Sequence, residues 1–177
     1  MTRMWDLKKQ SLIHGLYQCA DRSRVLSIIG VKDVGPEIHA VVQYQYPTLV
    51  RNPDGSIVLE GPVVVGVRYS ERILSEAPHP LEIAAVFAPS NIFHPNLSRG
   101  GLICLGHPTP GLSMEQILHT LWAALTFNMK VVNPRLGEVL CREAAEFVIQ
   151  HRDNFPLTEA GLFEAEPGDC SARTVWS

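Results

Sequence analysis

Residues 94–106 read HPNLSRGGLICLG. Three turn-forming residues come first, two adjacent glycines follow, and Cys104 then stands between Ile103 and Leu105. A free cysteine flanked by aliphatics is ordinarily a core filler, because the thiol is among the most buried side chains. Here it comes just after a glycine-rich approach, where backbone is normally exposed. The stretch therefore poses a choice between packing and chemistry for Cys104.

The stretch lies inside residues 89–112, which Pro89, Pro95, Gly100, Gly101, Gly106, Pro108, Pro110 and Gly111 punctuate into a loop. Connections this long without regular structure are uncommon in compact domains and are often functional. Downstream, SMEQILHTLWAALTF opens a helix. Ser113 and Gln116 have capping-box spacing, and Ile117, Leu118, Leu121, Ala124 and Leu125 form the buried stripe. After NPRLG a third helix is expected over about residues 138–151, with Leu140, Ala144, Phe147 and Val148 facing inward and Asn154 and Pro156 ending it.

Upstream, residues 3–20 read as an amphipathic helix with Trp5, Leu12, Ile13, Leu16, Tyr17 and Ala20 on one face and Lys8, Lys9 and Gln18 off it. Strands are expected over 24–31, 39–50, 56–70 and 81–89, and NPDG at 52–55 is a turn between adjacent antiparallel strands. Sequential strands on short links make an antiparallel meander. The predicted fold is thus α+β: N-terminal helix, four-stranded meander, long loop, two C-terminal helices. The domain is expected over 1–156, and 157–177 is an acidic, weakly periodic tail with the character of a mobile terminus.

A formal net charge of −3 gives no reason to expect nucleic acid or an acidic membrane surface as partner. No apolar run approaches the roughly 20 residues that span a bilayer. The N-terminus has charge without a following apolar segment, so no signal peptide is expected and the location is read as cytoplasmic. Cys19, Cys104, Cys141 and Cys170 are then reduced thiols, with Cys19 and Cys141 as core thiols in helices and Cys170 incidental. No Cys-x-x-Cys pair occurs. Only Lys8, Lys9, Lys32 and Lys130 of the 15 basic residues are lysines. Arginine-favouring codons account for this bias, and it would also leave few amines for self-modification by a reactive ester.

Three chemistries compete for Cys104. A metal site from His94, Cys104 and His107 lacks the usual short ligand pairs. A Cys-His hydrolase with His94, His107 or His119 as base has no local mark, and seven histidines supply candidates by chance. The third uses Asn96, eight residues before the thiol. Its side-chain amide is a neutral donor for a developing oxyanion, while His94, directly before Pro95, pins the turn that presents it. A thiol with an amide donor and no obligatory base suits transfer of a thioester, which is already activated.

The His-Pro-Asn tripeptide with Cys eight positions after Asn, set as IFHPNLSRGGLICLG before a capped helix, resembles the ubiquitin-conjugating enzymes. The resemblance covers about residues 3–150, including the element order. It implies that Cys104 is the thioester-forming cysteine, that Asn96 stabilises the oxyanion or holds the loop, and that His94 and Pro95 are structural. It further implies an activating enzyme, a ubiquitin-like protein and a protein substrate as partners. ATP is used by the activating enzyme, and no cofactor is expected on this chain. The N-terminal helix, with Arg3, Lys8 and Lys9, is where the family meets its activating enzyme; a solvated basic face explains the same residues.

Three departures accompany the resemblance. A short GHPTPG replaces the Trp-Ser-Pro segment frequent after the cysteine. Asn133-Pro134 survives from the Pro-Asn-Pro stretch, with Glu138 the nearest candidate for positioning an incoming amine. The ligase-facing loop is reduced to SEAPHP, without its aromatic. Such a pared-down enzyme is similar to those of bacterial ubiquitination-like operons that act against phage. A binding module of the same fold is the alternative from another class, but relatives of that kind have usually lost the cysteine.

Overall fold

The computed structural model describes residues 3–132 and 139–171. Helix α1 (Arg3–Arg22) is followed by strands β1 (Leu26–Asp33), β2 (Glu37–Tyr44), β3 (Thr48–Arg51), β4 (Ile57–Glu60), β5 (Val63–Ser70) and β6 (Ala84–Ala88). Helices α2 (Met114–Leu125) and α3 (Arg142–Gln150) follow, and short 3-10 turns lie at Glu71–Leu74 and Arg152–Asn154. The main sheet has the order β1-β2-β5-β6 with every pair antiparallel, and β3-β4 form a separate two-stranded sheet. This is the expected α+β layout: N-terminal helix, four-stranded meander, the long connection carrying Cys104, and two C-terminal helices.

Alternation builds the sheet's inner face. Ile38, Ala40, Val42 and Tyr44 of β2 are buried, and they stand directly opposite buried Tyr69, Val67, Val65 and Val63 of β5. α1 and α2 cover this face. Trp5 stacks on Tyr69 with centroids 6.3 Å apart, and the Tyr44 hydroxyl donates to the Leu118 carbonyl at 3.0 Å. The α2 capping box is present as read, with Ser113 and Gln116 serving each other's backbone N–H groups.

Four expectations need correction. The strands predicted over 39–50 and 56–70 are each broken, at residues 45–47 and 61–62. Pro47 and Pro62 have no N–H for the ladder, so the NPDG turn closes the short β3-β4 hairpin and not the main one. In α1 the buried stripe runs through Trp5, Lys9, Leu12, Leu16 and Cys19, while Tyr17 is exposed. Lys9 buries its stem there because its ammonium reaches Asp33 at 2.7 Å and Asp6 at 3.4 Å. The third helix begins at Arg142 with Cys141 as its N-cap residue, leaving Leu140 outside it and exposed. Finally, residues 157–171 are packed on the domain: Leu162 and Ala165 belong to the main core, so the boundary at 156 does not mark the core's edge.

Candidate active site

Residues 91–104 are anchored at almost every step. The Arg51 N–H donates to the Asn91 carbonyl at 3.0 Å and the Phe93 N–H to the Leu49 carbonyl at 2.8 Å, so β3 holds the approach. The His94 ring is buried against Phe127, with centroids 4.5 Å apart. Its Nδ1 accepts the Asn96 N–H at 3.0 Å, which leaves the ring proton on Nε2 to donate to the Ala124 carbonyl at 2.8 Å. That carbonyl belongs to the last turn of α2, so His94 joins the loop to the helix end. The next carbonyl, of Pro95, accepts the N–H groups of Leu140 and Cys141 at 2.9 and 3.1 Å.

From Asn96 onward the chain forms a tight hairpin. Leu97 bridges Ile103, and the Ser98 N–H donates to the Leu102 carbonyl at 2.9 Å. In that register Asn96 falls opposite Cys104, and the Cys104 N–H donates to the Asn96 carbonyl at 2.8 Å. The eight-residue spacing is thus the spacing of a cross-strand pair. The hairpin also adds to the sheet edge, because Leu102 bridges Ala85 of β6. Residues 89–112, read from sequence as loop, therefore contain paired backbone.

Alternation settles the orientation of the thiol. Ile103 and Leu105 point into the main core, and the half-exposed Cys104 between them points out. It lines a cleft of about 380 Å³ with Asn96, Pro80, His107, Val131 and Leu140. The Asn96 amide donates to the carbonyls of Cys104 and Val131, both at 3.3 Å. Both of its N–H groups are therefore engaged, in bonds longer than the usual ~2.9 Å.

The structure thus unites His94, Asn96 and Cys104 in one hydrogen-bonded unit. Burial pushes the His94 pKa down to about 4, with its bond to Ala124 opposing, so the ring is neutral near pH 7. Both ring nitrogens are occupied, which removes His94 as a metal ligand or as a base. His119 lies elsewhere, edge-on to Phe163 and near Glu115. Among the described residues no group of three or more His, Cys, Asp or Glu side chains could hold a metal ion. Glu138 and Asn133-Pro134 lie outside the described residues.

Sequence reading missed the Val131 and Pro80 carbonyls, the latter accepting the Leu105 N–H at 3.3 Å. It also missed Phe127, a buried residue at φ 61° that turns the chain from α2 toward Val131. Carbonyl acceptors leave no mark in a sequence, and a phenylalanine in the left-handed region is one of the least expected residues there.

No family model and no curated protein matches the sequence. Among solved structures the chain is similar to S. cerevisiae Ubc12 at 20% identity, over 88% of this chain and 86% of that one, with a TM-score of 0.45. A likeness that distant carries no argument about activity. No helix among the described residues is long and apolar enough to cross a membrane.

Proposed function

We propose that this chain is an acyl carrier of the ubiquitin-conjugating type, with Cys104 as the thioester-forming residue. The observation that carries the reading is the cross-strand pairing of Asn96 with Cys104, which sets a side-chain amide beside an outward-facing thiol on a rigid hairpin. The Cys104 thiolate attacks the thioester carbonyl of a ubiquitin-like protein presented by an activating enzyme. A C–S bond forms, the carbonyl electrons move onto oxygen, and collapse of this oxyanion expels the activating enzyme's thiolate. In the second step an amine of a protein substrate, typically lysine, displaces Cys104 and leaves an amide. Asn96 stabilises the oxyanion by redirecting one of its two long hydrogen bonds, and His94 positions Asn96. The pared-down GHPTPG and SEAPHP segments fit a bacterial enzyme working with its own activating enzyme and ubiquitin-like protein in antiphage defence, in the cytoplasm.

The test mixes the protein with its activating enzyme, ubiquitin-like protein and ATP. A reductant-sensitive adduct is expected; Cys104→Ser converts it to a reductant-resistant oxyester, and Cys104→Ala abolishes it. An adduct unchanged in Cys104→Ala overturns the reading, as does a wild-type protein that binds the ubiquitin-like partner without ever joining to it. ATP-independent cleavage of a peptide or ester, lost in Cys104→Ala, would point to a hydrolase instead. Asn96→Ala should slow acyl transfer on the order of 10²-fold. A purely loop-holding Asn96 would show as lost thermal stability with near-normal transfer by the folded fraction.

A further inference from the structure

An amine that displaces a thioester must lose a proton. A lysine ammonium, with an ordinary pKa of about 10.4, is almost wholly protonated at neutral pH. The cleft around Cys104 therefore needs a proton acceptor that meets both the incoming amine and water. His107 is the lining residue with that chemistry: among the described residues of the cleft, every other side chain apart from Cys104 itself is non-titratable.

The backbone explains how His107 reaches the cleft. After Cys104 the strand direction carries Leu105 inward, and Gly106 then adopts φ 78°. A Cβ on Gly106 would meet nothing within 4 Å, so glycine is required there for its left-handed backbone and not for space. That turn brings residue 107 back to the cleft containing the thiol three positions earlier.

Most other histidines are committed elsewhere. His94 uses both nitrogens, His39 contacts Glu37, the His79 Nδ1 accepts the Leu81 N–H, and His151 contacts the Phe147 carbonyl. His107 is exposed, with no hydrogen bond or ion pair among the described residues to hold its ring. It is therefore open both to solvent and to a molecule entering the cleft.

We propose that His107 is the catalytic base of the discharge step, receiving the proton of the incoming amine at a ring nitrogen. The amine nitrogen forms the C–N bond, the C–S bond breaks, and Cys104 leaves with the electron pair as thiolate. The ammonium first gives one proton to His107, which passes it to water and frees the nitrogen lone pair for attack; the second proton, lost from nitrogen as the amide forms, goes to solvent. This assignment rests on the thioester reading of Cys104 and adds the residue that handles the amine. It gives His107 no part in charging, where the nucleophile is a thiolate.

The experiment separates the two steps by charging wild type, His107→Gln and His107→Ala and then chasing with free lysine or with hydroxylamine, which is already neutral at neutral pH. All three proteins should charge at the same rate. Discharge to lysine should fall on the order of 10²-fold in both variants, in keeping with loss of a general base. Hydroxylamine discharge should fall far less, and added imidazole should restore lysine discharge in His107→Ala. Wild-type lysine discharge by His107→Gln overturns the assignment. So does an equal loss toward lysine and hydroxylamine, which would mean a disturbed cleft. A wild-type protein that never charges removes the thioester reading, and His107's role with it; a charged protein with His107-independent discharge removes only the latter.

Discussion

At the scale of single residues, His94 shows how a side chain without a charge can govern a site. Its folded-state pKa of about 4 lies below the ordinary 6.5 because burial disfavours the imidazolium. Between these values the unfolded chain binds more protons than the folded one, so stability rises with pH across that window. The contribution is complete above about pH 6.5 and is lost as pH falls toward 4. Denaturant titrations should show a loss of roughly 2 kcal/mol between pH 7 and pH 5. His94→Gln should be less stable at pH 7 but should lack that slope; an unchanged slope would refute the assignment. The depressed carboxylates do not confuse the reading. Glu37 is held down to about 2 by Arg68 and then by His39, and Asp33, Asp54 and Glu143 are each shifted downward, chiefly by their hydrogen bonds to Lys9, Ser56 and Arg51. The His-Pro-Asn order marks His94 as a turn residue in the sequence, but the acceptor of its second nitrogen, Ala124, is 30 residues away and leaves no local signal.

At the scale of elements, the hairpin of residues 96–104 is the unit that does the positioning, and its two adjacent glycines are not equivalent. Gly101 has φ 81°, and a Cβ there would sit 2.9 Å from the Val86 carbonyl oxygen on β6. Gly100 has open space, with only Ser98 Oγ as near as 3.9 Å. Gly101→Ala should therefore cost about 1–3 kcal/mol and loosen the hairpin from the sheet edge, slowing thioester formation as well. Gly100→Ala should be near neutral in both thermal melts and charging assays. Equal behaviour of the two would show that docking on β6 does not matter. The capping box of α2 was readable because it is local, three residues apart along the chain. The hairpin's docking was not, because it depends on where β6 lies.

At the scale of the whole molecule, the segment after α3 closes the fold. Leu162 and Ala165 enter the core, the Trp122 indole N–H donates to the Ala160 carbonyl at 3.0 Å, and the Ser23 hydroxyl donates to the Leu162 carbonyl at 2.8 Å. Arg22 lies over the Phe163 ring at 3.8 Å, and the Gly168 N–H donates to the Gln45 carbonyl at 3.0 Å. Leu162→Ala should cost about 2–5 kcal/mol by urea denaturation, and removal of residues 157–177 should cost more. A tail variant as stable as wild type would return this segment to the status of an appendage. Its acidity reads as solvent exposure, and only the packing of a few apolar residues against α1 and α2 shows otherwise. The same division runs through the molecule. The sequence alone determined the helices, the strand alternation, the turn chemistry and the pairing distance of Asn96 and Cys104, because each depends on residues close along the chain. The tertiary structure alone decided the docking of the 96–104 hairpin on β6, the burial of Lys9, the neutral lock on His94 and the exposure of His107 on the cleft. Those depend on which surfaces and carbonyls the fold brings together across long stretches of chain, and no local pattern encodes them.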